Sequence, residues 1–274
     1  MSWTIGLVQM DCEPGEVEAN LSKIEARAVE AAGAGARLVV FPECATTGYF
    51  VADRLASLAE PLPGPSSERL SGLARTLKLH LMVGMIEQAQ DRYYDDAVLF
   101  TPEGAVHVYQ KAHLFGSERA VFTPGDRPVV VETALGRLGL TVCYDLMFPE
   151  YIRRLALDRA QVILNATDWI TDAWQTSMGW NRDTVSSLVR IRALENGVHV
   201  AMADRVGVEA GWLSLGGSTV ASPTGRVLAT LGGDEGIAFA TIDLSNADLN
   251  RWSELATYLQ DRRPKLYERN ADRA

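Results

Sequence analysis

The chain has 274 residues, of which 47% are hydrophobic and 22% charged, the composition of an ordinary globular protein. Its formal net charge of −9 at pH 7 argues against a nucleic-acid-binding surface, which needs clustered lysine and arginine. Three cysteines, an odd number, argue against a disulfide framework. No basic leader precedes an apolar stretch, and no apolar run approaches the roughly 20 residues that cross a bilayer. We therefore expect a cytoplasmic protein without a nucleic-acid or membrane partner.

Short runs rich in Val, Ile and Leu alternate along the chain with longer helical stretches. Strands are predicted over 4–10, 37–41, 80–87, 96–101, 105–110, 128–132, 137–143, 160–165, 198–203, 218–222, 226–230 and 236–242. Helices are predicted over 16–34, 66–79, 149–159, 181–196 and 246–257. Many strands interleaved with a few helices indicate a layered α/β protein. No low-complexity stretch or linker divides the chain, so residues 1–274 are expected to form a single domain.

Three predicted strands deliver a polar or reactive side chain at their carboxyl ends: Glu43, Lys111 and Cys143. Ligands of open α/β folds bind at this edge of a sheet, so these positions are the first candidates for chemistry. A nucleophilic thiol needs a lowered pKa, which a helix beginning at Pro149 and a converging Lys111 would provide. Glu43 would then take the thiol proton and later activate water. Taken singly, each residue is better explained by a structural role.

Four segments carry motifs that resemble those of the nitrilase superfamily of carbon–nitrogen hydrolases. In chain order they are Phe41-Pro42-Glu43 with Thr47-Gly48-Tyr49, Tyr109-Gln110-Lys111-Ala112-His113-Leu114-Phe115, Phe115-Gly116-Ser117-Glu118 with Phe122-Thr123-Pro124-Gly125, and Gly139-Leu140-Thr141-Val142-Cys143-Tyr144-Asp145 with Phe148-Pro149-Glu150. The segments follow the order of the family, and the resemblance extends over nearly the whole chain. Any one motif is weak, but together they are specific.

The resemblance implies a four-layer αββα sandwich that pairs across helical faces, as a homodimer or a higher homo-oligomer. It also implies that Glu43 is the base, Lys111 the stabiliser of the tetrahedral intermediate and Cys143 the nucleophile. Glu118 would be a second glutamate that fixes Lys111 or the substrate nitrogen. The oxyanion would lie between the Lys111 ammonium and the backbone N–H of Tyr144. The resemblance implies neither a metal nor an organic cofactor.

The residues after the cysteine bear on the substrate. Nitrilases generally have Trp-Glu there, so Tyr144-Asp145 favours an amide over a nitrile. Leu146 and Met147 stand where carboxylate-binding relatives often carry arginine. We therefore expect hydrolysis of a small or medium neutral carboxamide to acid and ammonia through an acyl-enzyme on Cys143. The alternatives are an N-carbamoyl amino acid or amine amidohydrolase, an ω-amidase, and a catalytically idle binding or scaffolding protein.

Aromatic and apolar side chains near these motifs are candidates for the substrate pocket. The predicted substrate-binding residues are Tyr49, Met147, Phe148 and Trp169. Trp174 and Trp180 lie in the same stretch as Trp169, and the three either line the pocket or cover the core. The C-terminal residues, 258–274, are expected to be an extension used in packing or dimerisation.

Three neighbouring residues are weaker candidates for the chemistry. Cys44, beside Glu43, is a rival nucleophile, but adjacent residues leaving a strand point in different directions. His113 suggests a Cys/His pair, although a structural hydrogen bond is the favoured interpretation. Glu150 lies in the first turn of the helix predicted over 149–159, where a carboxylate stabilises the helix dipole.

Overall fold

A computed structural model describes residues 2–267. The strands are β1 (Ser2–Gln9), β2 (Ala36–Val40), β3 (His80–Ala89), β4 (Arg92–Phe100), β5 (Val106–Gln110), β6 (Val129–Thr133), β7 (Gly136–Val142), β8 (Val162–Thr167), β9 (Ile170–Thr171), β10 (His199–Asp204), β11 (Val208–Glu209), β12 (Trp212–Ser214), β13 (Thr219–Ala221), β14 (Val227–Thr230) and β15 (Gly236–Asp243). The helices are α1 (Val17–Gly33), α2 (Leu55–Leu58), α3 (Pro65–Leu77), α4 (Pro149–Leu157), α5 (Ala173–Ser177), α6 (Arg182–Asn196), α7 (Ala247–Leu255) and α8 (Pro264–Tyr267). Short 3₁₀ turns cover Ala52–Arg54, Gly116–Ala120 and Cys143–Met147.

Two six-stranded sheets form the centre of the protein. The first has the strand order β15-β1-β2-β3-β4-β5, and the second has the order β14-β13-β10-β8-β7-β6. In the first sheet β1, β2 and β3 run parallel, and in the second β7, β8 and β10 do, with antiparallel strands on either side. Every residue of β8 and β10 is buried, which is expected for parallel strands covered on both faces.

The two sheets face each other, and helices cover their outer faces. Helices α1 and α3 pack on the first sheet, whereas α4 and α6 pack on the second. Between the sheets, side chains such as Leu38 and Leu99 meet Leu140 and Leu164 in a continuous core. The layers therefore follow the order αββα, which confirms the fold class expected from the sequence.

Local sequence explains how the flanking helices form. Leu21 and Ile24 of α1 lie on one face and are buried against the sheet, the spacing of an amphipathic helix. Helix α6 begins after Asn181, whose side chain accepts a hydrogen bond from the backbone N–H of Thr184. It ends before Gly197, whose φ of +64° is a left-handed conformation that glycine adopts most easily.

A small third sheet, in the order β11-β12-β9, lies beside the carboxyl ends of β8 and β10. Its strands contain only two or three residues each, so no alternating pattern marked them in the sequence. Strand β4 also differs, because it begins at Arg92 rather than at residue 96, and the short helices α2, α5 and α8 were not predicted from the sequence. Every strand and helix expected from the sequence has a counterpart in the structure.

The segment after α7 runs along the outer face of the second sheet's helices. Tyr258, Arg262 and Tyr267 border a groove together with Arg153 and Leu157 of α4. Met1 and the remainder of the predicted extension, 268–274, lie outside the described residues. Within residues 2–267, no helix is both long enough and apolar enough to span a membrane.

Candidate active site

Glu43 lies just beyond β2, where the chain passes close to the neighbouring strand β3. The backbone N–H of Gly84 donates to the carbonyl of Pro42, at 3.0 Å. A Cβ atom on Gly84 would come within 2.5 Å of the Glu43 Cα, so this approach requires glycine. From the second sheet, the backbone N–H of Asp168 donates to Glu43 Oε2 at 2.9 Å. The glutamate is therefore held, fully buried, between the two sheets.

Lys111 directly follows β5, and its backbone N–H donates to the carbonyl of Asp95 in β4 at 2.8 Å. Its Nζ lies 2.5 Å from Glu43 Oε1, 2.7 Å from Glu118 Oε1 and 3.1 Å from Asp95 Oδ2. All four side chains are buried, and three carboxylates match the three protons of the ammonium. We call Glu43, Asp95, Lys111 and Glu118 the charge cluster.

The charge cluster places an excess of negative charge away from water, which is costly. Burial raises the pKa of Glu43 well above its usual range; Lys111 opposes this rise, whereas Asp95 and Glu118 add to it. Burial alone would lower the pKa of Lys111, but the three carboxylates raise it well above its usual range. The lysine therefore stays protonated beside a glutamate whose affinity for a proton is increased.

The same carboxylates have the composition of a metal site. Oxygens of Glu43, Asp95 and Glu118 lie within 4.8 Å of one another, and hard cations prefer such ligands. The ammonium of Lys111, however, donates a hydrogen bond to each of them. The cation at the centre of this cluster is thus a side chain of the protein itself.

Cys143 is the first residue after β7 and begins a 3₁₀ turn. Its φ is +40°, a left-handed conformation that is uncommon and strained for a residue with a side chain. The side chain is buried, and Sγ lies 3.8 Å from the carbonyl oxygen of Asp168. Tyr144 is the second residue of the turn, and the first N–H groups of a helical turn have no partner within it.

Asp145 connects this turn to residues 109–113, on either side of Lys111, through hydrogen bonds. Its Oδ2 accepts hydrogen bonds from the backbone N–H of Val142, at 2.9 Å, and from the hydroxyl of Tyr109, at 2.7 Å. Its Oδ1 accepts from the backbone N–H of His113 and lies 2.8 Å from the Nδ1 of that residue. The imidazole of His113 also stacks on Phe148. The histidine thus engages a carboxylate rather than a thiol.

The ionisation of Cys143 differs from the expectation that its surroundings lower the pKa. Burial raises the pKa of the thiol well above its usual range, and the charge of Glu43 adds to this, whereas Lys111 opposes it. Burial and the neighbouring carboxylates therefore outweigh the opposing effect of the lysine on this pKa. Because this pKa is raised, the thiol could act as a nucleophile only if a base took its proton.

Cys143 forms part of the wall of a cavity of about 190 Å³. Most of the lining is apolar or aromatic, including Tyr49, Phe115, Met147, Trp169, Ile170 and Trp180. Asp168 and Gln175 add polar groups. Among residues 2–267, no arginine lines this cavity. Pockets for drug-sized ligands occupy roughly 300 Å³ or more, so this one suits a smaller molecule.

The predicted pocket residues divide between the wall and its support. Three of them line the cavity: Tyr49, Met147 and Trp169. Phe148 lies outside the lining, with its ring centroid 3.8 Å from that of His113. Trp180 lines the cavity and packs edge-on against Trp169, whereas Trp174 is 68% exposed.

Arg205 is buried behind the cavity and connects two of its sides. Its Nη1 lies 3.2 Å from Asp168 Oδ2 and 2.6 Å from Glu209 Oε2. Glu209 in turn accepts hydrogen bonds from the backbone N–H groups of Tyr49 and Phe50. Tyr49 donates its hydroxyl hydrogen bond to Glu118. A chain of polar contacts therefore runs from Asp168, next to Cys143, to the charge cluster.

Asp95 and Asp168 were not among the residues expected from the sequence. Asp95 lies in the part of β4 that the sequence did not predict, within the polar run Asp95-Asp96 that interrupts the apolar pattern. Asp168 follows β8, and its backbone, rather than its side chain, contacts Glu43 and Cys143. Asp168 could have been found from the sequence, because it stands near the carboxyl end of a strand, as Glu43, Lys111 and Cys143 do.

Comparison with known proteins identifies the family. The carbon–nitrogen hydrolase family matches residues 4–251. A nitrilase from Pyrococcus abyssi is 34% identical, over 97% of this chain and 99% of its own. An (R)-stereoselective amidase from a Pseudomonas species is 35% identical, over 96% of this chain and 92% of its own.

A solved structure extends the likeness to three dimensions. The crystal structure of an amidase from a Nesterenkonia species has a TM-score of 0.83 and 31% identity, and the match covers 97% of this chain and 95% of the amidase. A glutamate-to-glutamine variant of the amidase from Nesterenkonia sp. AN1 carries acrylamide added to its active-site cysteine. The chain therefore belongs to the carbon–nitrogen hydrolases of the nitrilase superfamily and is an enzyme that acts on carbon–nitrogen bonds.

Proposed function

We propose that this enzyme hydrolyses the C–N bond of a small neutral carboxamide, giving the acid and ammonia through a cysteine acyl-enzyme. The observation that carries the proposal is the position of Cys143, which lines a largely apolar cavity of about 190 Å³ and is influenced electrostatically by Glu43 and Lys111. A protonated thiol, a carboxylate with raised proton affinity and a fixed ammonium are the groups that acyl transfer to sulfur requires.

In the first half-reaction, Glu43 accepts the proton of the Cys143 thiol while the sulfur attacks the carbonyl carbon. The oxygen of the tetrahedral intermediate gains a negative charge, which the positive charge of Lys111 and a hydrogen bond from the backbone N–H of Tyr144 stabilise. Loss of one such donor typically costs about 3–4 kcal/mol. Glu118, at 2.7 Å from Nζ, keeps Lys111 in place.

The second half-reaction uses the same groups. The C–N bond breaks when the nitrogen receives the proton held by Glu43, and ammonia leaves a thioester on Cys143. Water then gives a proton to Glu43 and attacks the thioester carbonyl carbon. When the C–S bond breaks, the sulfur takes that proton back and the carboxylic acid is released. Glu43 thus acts as base and acid in turn.

The lining of the cavity supports a neutral acyl group. Leu146 is buried and Met147 lines the cavity, so neither can pair with a substrate carboxylate. Arg205, a cation that sequence alone could have placed here, is occupied by Asp168 and Glu209. Desolvating an unpaired carboxylate costs several kcal/mol. Structures of the amidase from Nesterenkonia sp. AN1 with butyramide and with acrylamide supply precedents for small neutral amides.

The same proposal covers the assembly of the protein. The chain is proposed to form one domain, and the face formed by α4, α6 and residues 258–267 is proposed to pair with a second copy. The groove that Tyr258, Arg262 and Tyr267 border on this face supports a packing role for the extension. Light scattering at several protein concentrations tests the pairing with a second copy, and a monomer at every concentration would contradict it. A cytoplasmic location stays a prediction.

A substrate panel tests the proposed reaction. Neutral carboxamides, ω-amides of dicarboxylic acids, N-carbamoyl amino acids and nitriles are incubated with the enzyme, and ammonia and acid are both quantified. We expect equal amounts of ammonia and acid from the neutral amides, at higher kcat/KM than from the other classes. Preference for N-carbamoyl compounds or ω-amides would replace the proposal by the corresponding alternative, and release of neither product from any amide would contradict it.

A further inference from the structure

Asp95 contributes a third carboxylate to a site whose chemistry uses two glutamates, one lysine and one cysteine. Its Oδ2 lies 3.1 Å from the Lys111 Nζ, and its side chain is fully buried. Its Oδ1 lies 3.7 Å from the Sγ of Cys44. The strand pairing fixes this position, because the backbone N–H of Lys111 donates to the Asp95 carbonyl. Asp95 therefore contacts Lys111 through both main chain and side chain.

Counting charges shows what this carboxylate changes. With all groups ionised, Glu43, Asp95 and Glu118 carry three negative charges against the single positive charge of Lys111. This buried excess of two negative charges is reduced when a carboxyl group retains a proton, as happens when two carboxylates share one site. Glu118 accepts hydrogen bonds from Lys111, Tyr49 and the backbone N–H of Phe115, so donors stabilise its ionised form. Burial and the charges of Asp95 and Glu118 raise the pKa of Glu43, so this glutamate is the group that retains a proton.

We propose that Asp95 is a positioning residue of the proposed amide hydrolysis, which holds the Lys111 ammonium and places a third negative charge beside Glu43. This role rests on the proposed function, but the effect of Asp95 on the groups around Cys143 does not depend on which substrate supplies the acyl group. Those that face Glu43 are Lys111, Asp95, Glu118 and Cys143, with Cys44 and Tyr49 behind them. Among them, Asp95 is the carboxylate to which the mechanism assigns no step.

The sign of the effect follows from the charges. The charge of Asp95 adds to the rise in the pKa of Glu43, so removing it lowers that pKa. Glu43 must be ionised to accept the thiol proton, and reactivity is lost as pH falls through its pKa. In Asp95→Asn the loss should therefore begin at lower pH. A neighbouring like charge commonly shifts a pKa by about one unit or more, so we expect the acidic limb to move by about one pH unit.

The experiment compares Asp95→Asn with Asp96→Asn and with the wild type. Asp96 is the adjacent residue of β4, equally buried but on the opposite face of the strand, and it makes no contact with Lys111 among the described residues. The rate of alkylation of Cys143 by iodoacetamide is measured as a function of pH, using mass spectrometry of the Cys143 peptide. The pH dependence of kcat/KM for a neutral amide is measured in parallel.

We expect the acidic limbs of both profiles to move to lower pH in Asp95→Asn and to stay in place in Asp96→Asn. Superimposable profiles for Asp95→Asn and the wild type would overturn the proposal, as would an equal shift in both variants. Asp95→Ser, which removes the same charge, replaces Asp95→Asn if that variant does not fold. Since alkylation needs no amide turnover, it tests the role of Asp95 even if the proposed substrate class is wrong.

Discussion

Cys44 and Cys143 have similar backbone conformations on the two sheets and very different surroundings. Both follow a strand and have left-handed backbones, with φ values of +47° and +40°. Cys143 lines the cavity, whereas Cys44 is fully buried among apolar side chains such as Val51 and Leu55, with Asp95 as its polar partner. Strained geometry at a strand end is thus common to both, and access to a cavity separates the candidate nucleophile from the structural thiol.

Replacing each cysteine by alanine gives the most direct test of this difference. We expect Cys143→Ala to lose at least about 10³-fold in kcat, since the nucleophile is removed and the remaining donors cannot replace it. Ammonia release from a neutral amide measures the loss, and circular dichroism checks the fold. If Cys143→Ala retained more than a few per cent of activity, the role of nucleophile would pass to Cys44.

Trapping the acyl-enzyme distinguishes the two thiols chemically. Wild-type enzyme is quenched with acid during its first turnovers, because Glu43→Gln would lack the base for both half-reactions and would not accumulate the thioester. Mass spectrometry after mixing with substrate should then find an acyl group on the Cys143 peptide and none on the Cys44 peptide. Absence of any adduct in a single turnover, with an active wild type, would contradict a covalent route.

The charge of the substrate tests whether the cavity beside Cys143 accepts a neutral acyl group. A neutral four-carbon amide and the monoamide of succinic acid differ by one carboxylate. We expect kcat/KM to be at least about tenfold higher for the neutral amide, because none of the described residues brings a free cation to the cavity and burial of an unpaired charge is costly. A tenfold preference for the anionic amide would rule out a neutral acyl pocket.

Cys44→Ala should have the smallest effect on activity and a measurable effect on stability. The substitution removes a buried sulfur and leaves a small void, which typically costs about 1 kcal/mol of unfolding free energy. Urea denaturation measures this cost, and kcat/KM for a neutral amide should stay within about threefold of the wild type. A loss comparable to that of Cys143→Ala would show that Cys44 takes part in the reaction.

The sequence predicted those parts of the site that stand at the ends of regular apolar strands. Glu43, Lys111 and Cys143 are such residues, and the core pattern of their strands locates them at one edge of the fold. Asp95 escaped prediction because two adjacent aspartates interrupt β4, and a buried pair of carboxylates is improbable until the facing lysine is known. The sequence alone cannot tell which of the two adjacent aspartates, Asp95 or Asp96, faces Lys111.

The pKa of Cys143 shows a second limit of sequence. A helical turn and a lysine were visible in the chain, but the extent of burial and the number of carboxylates around the lysine depend on how the two sheets pack. The small sheet of β9, β11 and β12 was missed because strands of two or three residues have no period. In each case the deciding information is tertiary.

The division of the site between two sheets has a mechanical consequence. Glu43, Asp95 and Lys111 belong to the first sheet, whereas Cys143 belongs to the second, and the core between them includes Leu140. That core therefore sets the distance between the proposed base, Glu43, and the sulfur of Cys143. Because protein interiors are close-packed, a change of a single methylene in this layer would alter this distance. Substitutions in this core should then affect the proposed reaction as well as the stability of the protein.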